Sequence, residues 1–278
     1  MKRFVFLTIA LSLFISTFAQ AEKLKVLIYN TWGVPIGVWD KWRYQAAMQA
    51  IEELNPDVVV LSEVFSRKGK IQFQSDLYPY HADGGNWFPR LVGAGTRILS
   101  KFPIQEHDIL TYHLCKGSDC LARKGANEVL ISLPSGKKIN IVSTHLDSLT
   151  NPNVRISQIN QLTTFADFYE DKEAPTIFAG DLNFSPDSQE YPFLLQNLAV
   201  VDSWNETHSP NEPGITYSCD ENHYALEYAI KTKARVFDGR IDYLFHRGNI
   251  KALNSHLVFN DENHLFSDHY GILGEFEI

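Results

Sequence analysis

The apolar residues of this chain fall in short segments whose spacing sets the expected elements. Leu24, Val26 and Ile28 share one face of an extended segment that ends at Asn30. From Asp40 to Leu54, Ala47, Ile51 and Leu54 recur at helical spacing. Asp40 is a candidate cap for that helix, and Asn55-Pro56 ends it. Asp57 to Leu61 is a Val/Leu run, as in a strand buried on both faces. Thr96 to Ser100 reads as another short strand. Glu128 to Leu133 and Lys138 to Thr144 flank Pro134-Ser135-Gly136 as the arms of a hairpin.

Val154 to Tyr169 carries the helical stripe Ile156, Ile159, Leu162, Phe165 and Ala166, and Pro175 to Ala179 is a short buried strand. Gln189 to Leu198 is helical with Pro192 in its first turn, where a missing N–H is tolerated. Ile241 to His246 and Tyr270 to Phe276 are the last strands. Strands and helices mix without strict alternation, which predicts an α/β (α+β) domain of mixed sheets with helices outside. With 278 residues, 44% of them hydrophobic, and no repeat or low-complexity linker, one substantial core in one domain is expected.

The first 21 residues differ. Lys2 and Arg3 precede an apolar run from Phe4 to Phe18, and Ala19-Gln20-Ala21 fits a small-x-small cleavage site. The segment reads as a secretory signal peptide cut before Glu22, too short an apolar run for a membrane span. Residues 22–278 then form an exported domain, secreted or periplasmic. Losing Lys2 and Arg3 moves the formal net charge from -8 to about -10. Such an acidic surface gives no general attraction for nucleic acid. In an oxidising compartment Cys115 and Cys120 are close enough in sequence to pair, leaving Cys219 free.

Chemically capable side chains sit at the ends of the apolar strands: Asn30, Glu63, His145, Asp181, Asn183, Asp242, and Asp268 with His269. Asp and Asn also follow strands for turn reasons, so the inventory is more telling than any single member. It is rich in oxygen ligands, lacks cysteine and includes two imidazoles. That combination suits Mg²⁺, Mn²⁺ or Ca²⁺ and the hydrolysis of a phosphate ester.

Six segments in order carry a more specific likeness: Ile28-Tyr29-Asn30-Thr31-Trp32-Gly33, Val59-Val60-Leu61-Ser62-Glu63, Ser143-Thr144-His145-Leu146, Ala179-Gly180-Asp181-Leu182-Asn183, Arg240-Ile241-Asp242-Tyr243 and Ser267-Asp268-His269. They resemble the signature blocks of the endonuclease/exonuclease/phosphatase (deoxyribonuclease-I-like) superfamily across nearly all of residues 22–278. The resemblance implies a four-layered sandwich of two mixed β-sheets flanked by helices, with the site at one edge. It implies Glu63 as the main metal ligand with Asn30 beside it, and Asp181 and Asn183 orienting the nucleophile and the scissile phosphate. It further implies His269 as general base, Asp242 as the carboxylate orienting a catalytic histidine, Asp268 near the metal, and His145 as a donor to phosphoryl oxygens. Which carboxylate pairs with which histidine stays open.

Within the superfamily three stretches are similar to neutral sphingomyelinases: Asn30-Thr31-Trp32-Gly33-Val34-Pro35, Gly93 to Ile104, and Asp119-Cys120-Leu121-Ala122-Arg123-Lys124-Gly125-Ala126. The likeness implies a secreted, Mg²⁺-dependent phosphodiesterase that cleaves sphingomyelin or a related phospholipid at a membrane surface. It places Lys124 near the lipid phosphate, with Asp119 pairing to it or releasing it. A secreted nuclease of the same fold, cleaving DNA or RNA, is the alternative. No stable nucleic-acid partner and no transmembrane span are expected, and the chain is read as a monomer. The aromatic hairpin of secreted bacterial sphingomyelinases is missing: between Asp242 and Asp268 only Leu257-Val258-Phe259 and Leu265-Phe266 are apolar. Trp39, Trp42, Trp87 and Phe88 are candidates for an apolar rim instead. No Gly-x-Ser-x-Gly elbow points to a serine hydrolase.

Overall fold

The computed structural model describes residues 21–33, 41–86, 88–149 and 151–278. The expected signal peptide, the Asp40 cap, Val34-Pro35, Trp39 and Trp87 lie outside the described residues, apart from Ala21. The first half of the chain runs β1 (Lys23–Asn30), α1 (Lys41–Leu54), β2 (Val58–Ser62), α2 (Arg67–Gln72), β3 (Tyr80–Asp83), β4 (Arg97–Ser100), β5 (Ile104–Thr111) and β6 (Gly125–Ser132). Then come β7 (Lys138–His145), α3 (Pro152–Tyr169), β8 (Thr176–Asp181), α4 (Glu190–Leu198), β9 (Val201–Asp202), α5 (Ser203–Thr207) and β10 (Tyr217–Ser218). The chain closes with α6 (His223–Thr232), β11 (Asp238–Gly239), β12 (Asp242–Arg247), β13 (Lys251–Val258) and β14 (Gly271–Glu277).

Two six-stranded sheets face each other, ordered β13-β14-β1-β2-β4-β3 and β5-β6-β7-β8-β12-β9. Both are mixed, since β1 with β2 and β7 with β8 are parallel while the other pairs are antiparallel. The strand period of two explains the layering. Leu24, Val26 and Ile28 of β1 enter the cluster between the sheets, with Val129, Ile141, Ile177 and Leu244. Leu27 and Tyr29 of the same strand point the other way, against Ala47 and Ile51 of α1. Val142, Phe178 and Phe245 meet Ile159, Leu162 and Leu194 of α3 and α4 on the outer face of the second sheet. Helix, sheet, sheet and helix give the four layers.

Most expected elements appear within a residue or two of their ends. The elements that spacing missed have physical reasons. Strand β5 is an outer strand with a largely solvated face, so its sequence IQEHDILT shows no apolar period. Helix α6 has Ala225 and Ala229 as its buried positions, too small to register as a stripe. Val258, Phe259 and Phe266 are core residues, as the lack of an aromatic hairpin requires.

Candidate active site

The register of the second sheet brings three strand ends together. His145 ends β7 opposite Asp181 of β8, and Asp181 lies opposite Asp242 of β12. In the first sheet Asn30 ends β1 opposite Ser62, which places Glu63 beside it. Two strand-to-strand approaches allow only glycine. A Cβ on Gly180 would sit 1.9 Å from Thr144 O, and one on Gly33 would sit 1.9 Å from Glu63 O. Thus the glycines of the Ala-Gly-Asp and Trp-Gly segments let the site-bearing backbones close on each other.

His269 Nδ1 lies 2.8 Å from Asp242 Oδ2, and its Nε2 lies 3.9 Å from Asp181 Oδ2. Asp242 is therefore the carboxylate that orients His269. Burial alone would lower this imidazole's pKa, but Asp242, Asp268 and Asp181 outweigh it and hold the value well above that of an ordinary histidine. His145 has the opposite setting. Burial, with the Lys124 ammonium next to it, pushes its pKa down to about 3, so the ring is neutral at physiological pH. Its Nε2 is 2.9 Å from Lys124 Nζ and 3.5 Å from Asp181 Oδ2, and its Nδ1 has no partner among the described residues.

Lys124 is only 7% exposed and donates to Asp119 at 2.7 Å and to Leu146 O at 2.8 Å, besides facing His145. All three of its donors are engaged, so contact with a lipid phosphate requires it to exchange a partner. Asp119 also accepts from Ser148 N–H at 2.6 Å and sits in a 3₁₀ turn, Gly117–Leu121, tied back by the Cys115–Cys120 disulfide. Cys219 is free and buried.

Glu63 and Asp268 are pushed above the usual carboxylate range, chiefly by burial and then, for Glu63, by the Asp268 charge. Glu63 Oε2 is buried with no hydrogen-bond partner among the described residues. Ligand atoms of Glu63, His145 and Asp181 all lie within 4.8 Å of one another. An orphaned carboxylate oxygen among further carboxylates fits a hard divalent cation, which would satisfy the oxygen and offset the repulsion. Asn30 enters as a donor rather than a ligand. Its Nδ2 reaches Asp181 Oδ2 at 2.9 Å and Glu63 Oε1 at 3.3 Å, while its Oδ1 takes the Trp32 N–H at 2.9 Å. A metal-ligand role for Asn30 requires its amide to turn over. Asn183 gives its backbone N–H to Asp181 Oδ1 at 3.0 Å and its Nδ2 to Leu146 O at 3.1 Å, which fixes Asp181 between two neighbours.

Trp32, Glu63 and Asn183 have φ of 50°, 62° and 55°, a left-handed backbone that costs each non-glycine residue on the order of 1 kcal/mol. Sequence reasoning missed Arg43. It donates to the carbonyls of Thr31, Trp32 and Phe266, clamping the loop after β1 to the loop carrying Asp268 and His269. Its signal is a cation four residues before Ala47 on the buried face of α1. Of the rim aromatics, Trp42 and Phe88 are solvent-exposed.

This architecture recurs among known proteins. A putative neutral sphingomyelinase of Drosophila melanogaster is 25% identical over 277 residues, covering 92% of this chain and 61% of the fly protein. An inositol phosphosphingolipids phospholipase C of Schizosaccharomyces pombe is 24% identical over 288 residues, covering 91% of this chain and 68% of the yeast protein. The chain thus spans less than two thirds of the fly relative's length. A Staphylococcus aureus beta toxin mutant, solved with bound magnesium ions, superposes with a TM-score of 0.71 at 22% identity, covering 91% of this chain and 99% of the toxin. The model of the Endonuclease/Exonuclease/phosphatase family matches residues 29–269, from the strand carrying Asn30 to His269, and the chain belongs to that family.

Proposed function

We propose that this chain is a divalent-metal-dependent phosphodiesterase that hydrolyses sphingomyelin to ceramide and phosphocholine. The observation that carries the reading is the His269–Asp242 pair, set beside Asp181 and the under-satisfied Glu63 at one edge of the sandwich. The lipid substrate rests on the sphingolipid-cleaving relatives, and magnesium on the ions in the beta toxin. Glu63, with Asp268 nearby, would hold the cation, which when bound neutralises phosphoryl oxygens.

The chain's own residues supply the rest. His269, in its neutral form, accepts a proton from the attacking water at Nε2. Asp242 holds the ring through Nδ1 and stabilises the imidazolium that results. Asp181, anchored by Asn30 and Asn183, lies between the two histidines and orients the nucleophile. Neutral His145 can turn an Nε2–H toward a phosphoryl oxygen once Lys124 gives up that nitrogen, and until then Lys124 and Asp119 keep its ring in place. Export fits the apolar segment from Phe4 to Phe18, and the Cys115–Cys120 disulfide supports an oxidising compartment.

The test offers the purified protein sphingomyelin vesicles and supercoiled plasmid, each with Mg²⁺ and with EDTA. Mg²⁺-dependent release of phosphocholine is the expected result. Plasmid nicking without phosphocholine release would replace this reading with a nuclease of the same family, and full activity in EDTA would remove the metal.

A further inference from the structure

Three aromatic residues stand next to the phosphate-cleaving groups without any part in that chemistry. Trp32 gives its backbone N–H to Asn30 Oδ1 at 2.9 Å. Its indole lies 5.4 Å from the Tyr224 ring and 6.1 Å from the Tyr228 ring, centroid to centroid. The two tyrosines are four residues apart on α6, so they share the helix face that overlooks Trp32. Trp32 is 9% exposed, and its indole N–H has no hydrogen-bond partner among the described residues. Tyr224 and Tyr228 are half-buried and keep part of their surface open.

The cluster is built and fixed. Asn222 caps α6 by accepting from the N–H groups of Tyr224 and Ala225, and its Nδ2 donates at 2.9 Å to Ser267 O, one residue before Asp268. Ala225 and Ala229 pack inward with Tyr217, whose ring meets His269 edge-on at 5.2 Å. On the other side Arg43 lies 5.2 Å over the Trp32 ring and holds its carbonyl. Helix α6 is thereby locked to the His269 loop, and Trp32 to the Asn30 strand. The charged groups that act on the Tyr228 hydroxyl are the carboxylates of Glu63, Asp268 and Asp119.

We infer that Trp32, Tyr224 and Tyr228 form a headgroup pocket for a quaternary ammonium, which selects a choline phosphodiester over ethanolamine and inositol ones. The inference rests on the lipid-hydrolase reading and adds to it the residues that recognise the headgroup. A trimethylammonium group has no N–H to donate, is weakly hydrated, and gains from aromatic faces in a field of negative charge. A primary ammonium is held better by carboxylate or carbonyl oxygens than by ring faces. An inositol ring brings hydroxyls that need partners, and these ring faces offer none. In choline phosphodiesters the cation is two carbons from the ester oxygen, which suits a cage lying next to the cleavage centre. Tyr224 and Tyr228 present the ring faces, and the indole N–H of Trp32, unpaired among the described residues, is a donor for a phosphate oxygen of the same headgroup.

The test uses the full chain in magnesium buffer. Calorimetric titration with phosphocholine, phosphoethanolamine and inositol 1-phosphate reads binding. Hydrolysis of sphingomyelin, ceramide phosphoethanolamine and inositol phosphoceramide, each diluted in phosphatidylglycerol vesicles, reads selection. Phosphocholine should bind about tenfold tighter than phosphoethanolamine. Tyr224→Leu and Tyr228→Leu should each lose most of that preference, and Tyr228→Phe, which keeps the ring face, should retain it. The pocket is overturned if phosphocholine binds no tighter than the others, if the leucine variants weaken all three headgroups equally, or if inositol phosphoceramide is the preferred lipid. Selective phosphocholine binding that the leucine variants abolish, with none of the three lipids hydrolysed, would keep the pocket and overturn the lipid-hydrolase reading instead.

Discussion

At the scale of single residues, electrostatic setting divides two histidines that look alike in sequence. The carboxylates around His269 favour its imidazolium, so in the absence of a cation its base form is present only above the ordinary histidine range. Turnover should therefore rise with pH, and the rising limb should move to lower pH as Mg²⁺ increases. Asp242→Asn removes a carboxylate that raises this value, so the limb should shift toward acid while kcat falls by about a hundredfold or more, the usual scale for a general base. An unmoved limb in the pH–rate profile would separate Asp242 from His269. Glu63 tests the cation without turnover. Its folded-state pKa is raised, so the stability linked to it is full below the usual carboxylate range and is lost as pH rises through the raised value. Saturating Mg²⁺ should raise the stability of the wild type at pH 8 by about 2–3 kcal/mol at a hundred times Kd. Glu63→Gln should abolish the resulting rise in Tm, and an equal rise in both proteins would move the ion elsewhere.

At the scale of elements, the 3₁₀ turn Gly117–Leu121 and strand β7 act through one chain of contacts: the disulfide holds the turn, Asp119 holds Lys124, and Lys124 holds His145. Lys124→Ala leaves Asp119 with Ser148 alone, without its cationic partner, and His145 without its anchor. Turnover on sphingomyelin and on a small soluble phosphodiester should then fall together, by about tenfold or more, as expected when a reacting group loses its alignment. Loss confined to the lipid would instead show that the ammonium leaves these partners to meet the lipid itself. The order of elements was legible because the middles of β1, β2, β8 and β12, at 26–29, 58–61, 177–179 and 243–245, are buried on both faces and apolar throughout. Strand β5 and helix α6 were not, because an outer strand and a helix with two buried alanines satisfy themselves without an apolar period.

At the scale of the whole molecule, one buried acid serves no part of the site. Glu128 on β6 is 4% exposed, and neither carboxylate oxygen has a partner among the described residues. Burial, reinforced by Glu170 and Asp108, pushes its pKa up to about 8 despite Lys172 and Arg247 nearby. The sign follows from linkage: the folded state holds this proton where the unfolded state has lost it, so the contribution to stability is full below about pH 4.5 and falls as pH rises toward 8. Glu128→Gln should match the wild type at pH 4 and exceed it by ~2 kcal/mol at pH 8 in denaturant titrations. Parallel curves from pH 4 to pH 8 would show that the carboxylate is solvated in the native state.

The sequence by itself determined the buried central strands, the ends at which chemistry sits, and the residue types of a hard-metal phosphodiester site, because apolar period and local chemistry are properties of neighbouring residues. It also held Arg43, visible as a cation on an apolar helix face. Only the tertiary structure decided that Asp242 serves His269, that Lys124 faces His145 and Asp119, and that Asn30 is a donor to Glu63 and Asp181. These pairings join residues from 5 to 151 positions apart across two sheets. They depend on strand register and on left-handed turns at Trp32, Glu63 and Asn183, none of which leaves a periodic trace in the chain. The aromatic pocket had the same origin: Trp32 and the two tyrosines of α6 acquire a common purpose only when the sandwich closes and brings that helix over the end of β1.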